Sequence, residues 1–216
     1  MEQERNEKVI KIIYEKFRET PYPGDNYLQG SAEGCEPFET VGPFQGKNDW
    51  KKIEPEFLDA HSEALSFFSE GGLRFFLPAF LTADLRNELQ YADPLFHLTH
   101  GFSDNPVEIP TKTKTFRRTF GKSRLVNPKR YGALTAFDYA RFRLSVFTKE
   151  EAGAIVSYLE YKRDSETPDL TKNQIAAALN FFWLERAGNA PSIKDIEMHN
   201  REEAEYFSAI SENSET

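Results

Sequence analysis

The chain has 216 residues, of which 39% are hydrophobic and 29% charged, with 19 Phe, 9 Tyr, 2 Trp, a single Cys and a formal charge of −8. Aromatic side chains that bury roughly 150–250 Å² each supply one sizeable core, which excludes wholesale disorder, and a mean hydropathy of −0.62 suits a soluble surface around it. No apolar run approaches the ~20 residues that cross a bilayer, the opening residues lack a secretory leader, and Cys35 has no disulfide partner, so the expected setting is a reducing cytoplasm.

The first element is a helix. Val9, Ile12, Ile13 and Phe17 recur at helical spacing with Lys11, Glu15 and Arg18 turned away, and Thr20-Pro21 ends it. Residues 21–50, rich in Pro, Gly, Asp and Asn, read as a long ordered loop or short strands. Pro55 opens a short helix. After Ser69, the series Leu73, Phe76, Leu77, Phe80 and Leu81 predicts a strong helix, with a kink or break at Pro78. Asp93-Pro94 begins an irregular stretch to about residue 135, within which residues 115–126 suit a hairpin around Gly121-Lys122.

The second half carries clearer signals. Thr148 and Glu151 form a capping box ahead of Ala152, Ile155, Val156 and Leu159. Thr171 and Gln174 repeat the pattern, with Leu170 and Ile175 spaced as a hydrophobic staple. The helix they open is apolar nearly all round, which predicts a central position, with Gly188 as its cap. Phe76, Leu77, Ile155, Leu159, Ile175, Leu179 and Phe182 should be buried together. The expected fold class is mainly α: a single globular domain over residues 1–190, with about four to five core helices and an irregular middle that has room for a hairpin. An acidic tail, 191–216, follows, helical in part or frayed.

Several elements resemble one bacterial family catalogued only as a domain of unknown function. They are Tyr22-Pro23-Gly24-Asp25, a glutamate near Glu36, Phe44, Gly46 and Trp50, Leu65-Ser66-Phe67, the run Arg74 to Phe80, and Arg143 with Phe147-Thr148 leading to Tyr158-Leu159. The resemblance spans roughly residues 5–185 and implies a single domain. It implies no activity and no catalytic residues.

Charge is segregated along the chain: residues 1–110 carry a net −10, residues 111–149 a net +10, and residues 150–216 a net −8. Lys112, Lys114, Arg117, Arg118, Lys122, Arg124, Lys129 and Arg130 fall in this basic block with Phe116, Phe120 and Tyr131 between them. Cations with aromatics suit single-stranded nucleic acid, although the acidic whole repels polyanions and neighbouring acidic surface can neutralise the block. Asp93, His97 and His100 fall at i, i+4 and i+7, a weak candidate metal set that matches no established ligand spacing. Asp25, Glu33, Glu36 and Glu39 are loop carboxylates; Asp25 should close the Pro-Gly turn through its own backbone, and with Glu36 and Trp50 it is a candidate for a shared binding surface. No nucleophile elbow or phosphate loop is present, and Glu33 and Glu36 would raise the Cys35 thiol pKa. Neither a cofactor nor a resident metal is expected.

These observations rank three functional readings. The first is a non-catalytic interaction module, an adaptor or immunity-type protein that meets another protein, for instance a basic one, with an acidic face. The second is a nucleic-acid-associated protein using residues 112–131. The third is a hydrolase or metalloenzyme using the histidine and carboxylate cluster.

Overall fold

The computed structural model describes residues 2–165 and 168–214, without the side chains of residues 105–107, 118–120, 204 and 206–214. It is mainly helical. In chain order, α1 (Glu2–Lys16), α2 (Glu36–Val41), α3 (Pro55–Ala60), α4 (Ala64–Phe67), α5 (Glu70–Leu85) and α6 (Pro94–Thr99) precede a hairpin of β1 (Asn105–Pro110) and β2 (Thr115–Phe120). Then come α7 (Pro128–Tyr131), α8 (Ala136–Leu144), α9 (Lys149–Asp164), α10 (Asp169–Ala178), a π-helical turn (Leu179–Trp183), α11 (Leu184–Asn189) and α12 (Ile193–Ser214).

The core forms where the apolar stripes meet. α1 buries Val9, Ile10 and Ile13 against α5 and α9, and Asn6 ties it to the end of α5 through a 2.6 Å bond to the Leu85 carbonyl. Phe44, Phe68 and Phe76 pack ring on ring with centroids 4.8–4.9 Å apart. All seven of the residues expected to be buried together belong to one hydrophobic cluster.

α5 runs unbroken through Pro78, so of the expected kink or break the break does not occur. The proline removes the donor for the Arg74 carbonyl, a cost of about 3 kcal/mol in an exposed helix. Here Phe75, Phe76, Leu77, Phe80 and Leu81 are all buried around it, so packing outweighs the local defect. The Thr82 hydroxyl also donates to the Pro78 and Ala79 carbonyls, at 2.9 and 3.0 Å.

A polar hub crosses this core. Glu151 has no exposed surface, yet its carboxylate accepts from the Thr20 hydroxyl at 2.6 Å, from Arg74 Nε at 3.0 and 2.8 Å, and from the Thr148 N–H at 2.9 Å. The last bond completes the predicted capping box of α9. The second expected box does not form. α10 starts two residues before Thr171, with the Pro168 carbonyl accepting from the Lys172 N–H at 3.0 Å, and Leu170 is exposed in the first turn. Two further corrections follow α10 onward. Gly188 lies inside α11, whose C-cap is Ala190, and Phe181 and Leu184 face solvent although Ile175, Ala178, Leu179, Phe182 and Trp183 are buried.

The middle is more ordered than the sequence suggests. Asp93 caps α6 by accepting from the Phe96 N–H at 2.9 Å, with Pro94 in the first turn. The hairpin exists, but its turn is Thr111–Lys114, and residues 115–120 form its second strand. Thr111 closes that turn through its N–H, 2.7 Å from the Lys114 carbonyl, and its hydroxyl, which accepts from the Lys114 N–H at 3.1 Å. Gly121 sits instead at the hairpin's base. A Cβ there would come within 2.2 Å of the Ser103 carbonyl oxygen, so the crossing of the two segments requires glycine.

Candidate functional site

Two constellations that the sequence keeps apart meet at one cavity. α6 brings His97 and His100, and the segment after the hairpin brings Arg124. α8 contributes Ala136, Tyr139, Ala140, Arg143 and Leu144, the i, i+3, i+4, i+7 and i+8 positions of a single helical face. The cavity measures about 330 Å³.

Each wall is held by its own local chemistry. The Trp183 indole N–H bonds the Leu98 carbonyl at 2.9 Å and Phe102 stacks on Phe182 at 5.5 Å, so α6 is fixed from beneath. Thr135 caps α8, its hydroxyl accepting from the Asp138 N–H at 3.2 Å. The Ala136 and Phe137 N–H groups donate to the Arg124 and Lys122 carbonyls at 2.6 and 3.1 Å, and the Val126 N–H donates to the Leu134 carbonyl at 3.0 Å. These bonds zip residues 122–126 onto the start of α8 and set Arg124 at the mouth.

Ala136, Ala140 and Leu144 are buried and form the floor; His97, Val126, Tyr139 and Arg143 are half-buried walls; Phe96, His100, Arg124, Leu125 and Asn127 are an exposed rim. Arg143 also donates to the Leu65 and Ser66 carbonyls, which orients its guanidinium against the wall. Burial first, then the Arg143 charge and His100, pushes the His97 pKa down to about 4. His100 is lowered as well, by burial and then by Arg124. At neutral pH the cavity therefore holds uncharged imidazoles beside guanidiniums, and among the described residues no carboxylate lines it.

The hairpin arm is the second candidate feature. Residues 108–117 are exposed. Ile109 and Phe116 are cross-strand partners with 45% and 55% of their surface open, and Glu108 faces Arg117. Among the described residues, Lys112, Lys114 and Arg117 make no ion pair closer than 4 Å. The side chain of Arg118 lies outside the described residues. Lys122 lies over the Phe181 ring at 5.1 Å, and Arg130 bonds the Ser31 hydroxyl at 2.8 Å and approaches Glu33 at 3.9 Å.

The remaining candidates do not join this site. Asp93 is occupied as the cap of α6. Among the described residues, no three His, Cys, Asp or Glu side chains come together as a metal set. Asp25 does not close its own turn, as expected from the sequence, but accepts from the Gly46 N–H at 2.8 Å and from the Tyr22 hydroxyl. Tyr22 in turn packs on Phe75 and Phe76, so this network braces the loop against α5. Trp50 is buried, with Nε1 3.4 Å from the Phe17 carbonyl, and Glu36 is exposed in the first turn of α2. No cavity described here is lined by two of Asp25, Glu36 and Trp50. Tyr139 and Arg143 were missed as site residues, although Thr135 followed by Asp138 marks the start of their helix.

The class defined here is a helical domain that carries an exposed basic hairpin and a histidine- and arginine-lined cavity. The chain belongs to the family of unknown function DUF6714, whose model matches residues 6–187. No match was found among curated proteins or solved structures. Among the described residues, no helix is long and apolar enough to cross a membrane.

Proposed function

We propose that the protein is a non-catalytic interaction module, of adaptor or immunity type, that presents its basic arm to an acidic surface on another protein. The observation that carries this reading is the arm itself: exposed Lys112, Lys114 and Arg117 beside the open pair Ile109 and Phe116. Surface elsewhere on the chain is acidic, yet the arm's cations form no ion pair with it among the described residues. Apolar groups between cations favour a protein surface that is both acidic and apolar. The hydrolase reading is weaker, because Asp25, Glu36, Asp93 and the histidines do not share a site.

Nucleic acid is the second reading, and Phe116 among cations is what favours it. One titration separates the two. Short peptides alternating Glu with Leu, Glu-only peptides, and single-stranded and duplex oligonucleotides of equal charge are compared at physiological salt. The Glu-Leu peptide should bind best, and Lys112→Ala/Lys114→Ala/Arg117→Ala should weaken it about tenfold, from exposed pairs worth up to about 1 kcal/mol each. An oligonucleotide binding tighter than the peptide would put nucleic acid first. Equal binding of both peptides would reduce the arm to a nonspecific cation patch.

A further inference from the structure

We propose that the cavity between α6, α8 and residues 124–127 is a binding site for a small organic carboxylate, with Arg124 and Arg143 holding the anionic group and the apolar floor holding its body. This is independent of the arm's partner.

The lining divides as such a ligand requires. Ala136, Ala140, Leu144 and Val126 offer an apolar surface, while the cationic groups stand at the wall and the mouth. A planar guanidinium suits a carboxylate because its N–H groups match the two oxygens. Arg143 uses part of its donor set on the Leu65 and Ser66 carbonyls, which fixes its plane and lowers the ordering cost of a further bond. Uncharged His97 supplies a hydrogen-bonding edge without adding a third fixed charge. A cavity of about 330 Å³ lies at the small end of the range of small-molecule sites. Inorganic phosphate would fill a fraction of that space and leave the apolar floor against water.

The full-length protein is titrated with 3-phenylpropionate, with 3-phenylpropanol, which has the same body and no charge, and with inorganic phosphate. Binding is read by calorimetry and by the NMR signals of the His97 and His100 rings. The acid should bind at least about tenfold tighter than the alcohol, since a charge-assisted hydrogen bond contributes about 1.5–3 kcal/mol. It should shift both ring signals, and Arg124→Gln should reduce affinity by a similar factor. Arg143→Gln repeats the test at the wall, and thermal melting of both variants separates loss of binding from loss of fold. Equal affinity for acid and alcohol would overturn the proposal in favour of a plain apolar cavity. Tighter binding of phosphate, unmoved histidine signals, or an Arg124→Gln protein that binds the acid normally would each overturn it too.

Discussion

The centre of the molecule and its arm treat charge in opposite ways. At the centre, Glu151 is sealed from solvent and its oxygens accept from Thr20, Arg74 and Thr148, drawn from three separate parts of the chain. On the arm, Lys112, Lys114 and Arg117 extend into water. Buried charges are costly unless every partner is in place, so the hub fixes how α1, α5 and α9 meet. Exposed cations contribute little to folding and remain available for an outside contact.

The sharpest way to break this contrast is at the hub. Glu151→Ala leaves Arg74 without its partner and should cost about 3–5 kcal/mol in urea melts. The double change Arg74→Met/Glu151→Leu should recover much of that loss. A cost below about 1 kcal/mol for Glu151→Ala would mean that the hub does not organise the core.

The cavity lies between the extremes. His97 titrates near 4 in the folded protein against 6.5 ordinarily, because burial, then Arg143, then His100 oppose its protonation. Between those values the unfolded chain takes up a proton that the folded one does not. His97 therefore contributes stability that is fully present above about pH 6.5 and is lost as pH falls through about 4, on the order of 3 kcal/mol in total. Denaturation at pH 7 and at pH 4.5 should show this decline, and His97→Gln should flatten it. Parallel curves for the two proteins would assign the decline to other groups.

The smallest effect is expected on the arm. Lys112→Ala/Lys114→Ala/Arg117→Ala should shift stability by less than about 0.5 kcal/mol, since none of these cations supports the fold. A larger loss would show that the arm packs where it is drawn as open.

What could be read in the sequence follows the reach of each signal. The α1 stripe, the Thr148–Glu151 box and the buried set from Phe76 to Phe182 rest on local periodicity, and local periodicity survives folding. The Thr171 box matched a pattern equally well, but Pro168 opened the helix first. Pro78 marked a break that surrounding phenylalanines override. The hairpin was legible as composition, not as register, because the requirement for Gly121 comes from Ser103, across the base of the arm. The candidate site was half visible: His97, His100 and Arg124 carry suggestive chemistry, whereas Arg143 and Tyr139 join them only because residues 122–126 fold back onto α8.

The π-helical turn at Leu179–Trp183 gives this segment an unusual genetic tolerance. Such a turn accommodates one residue more than a regular helix would. Removing a single codon within the turn would take out that extra residue and restore regular winding with both flanks in register, whereas the same deletion in a regular stretch would rotate everything downstream by about 100°. Loss of the exposed Phe181 would therefore leave Trp183 on its buried face, still anchoring α6 through the Leu98 carbonyl. A one-residue deletion in α10 has no such outlet: it would put Ile175 and Trp183 on different faces and part the indole from the Leu98 carbonyl that holds α6.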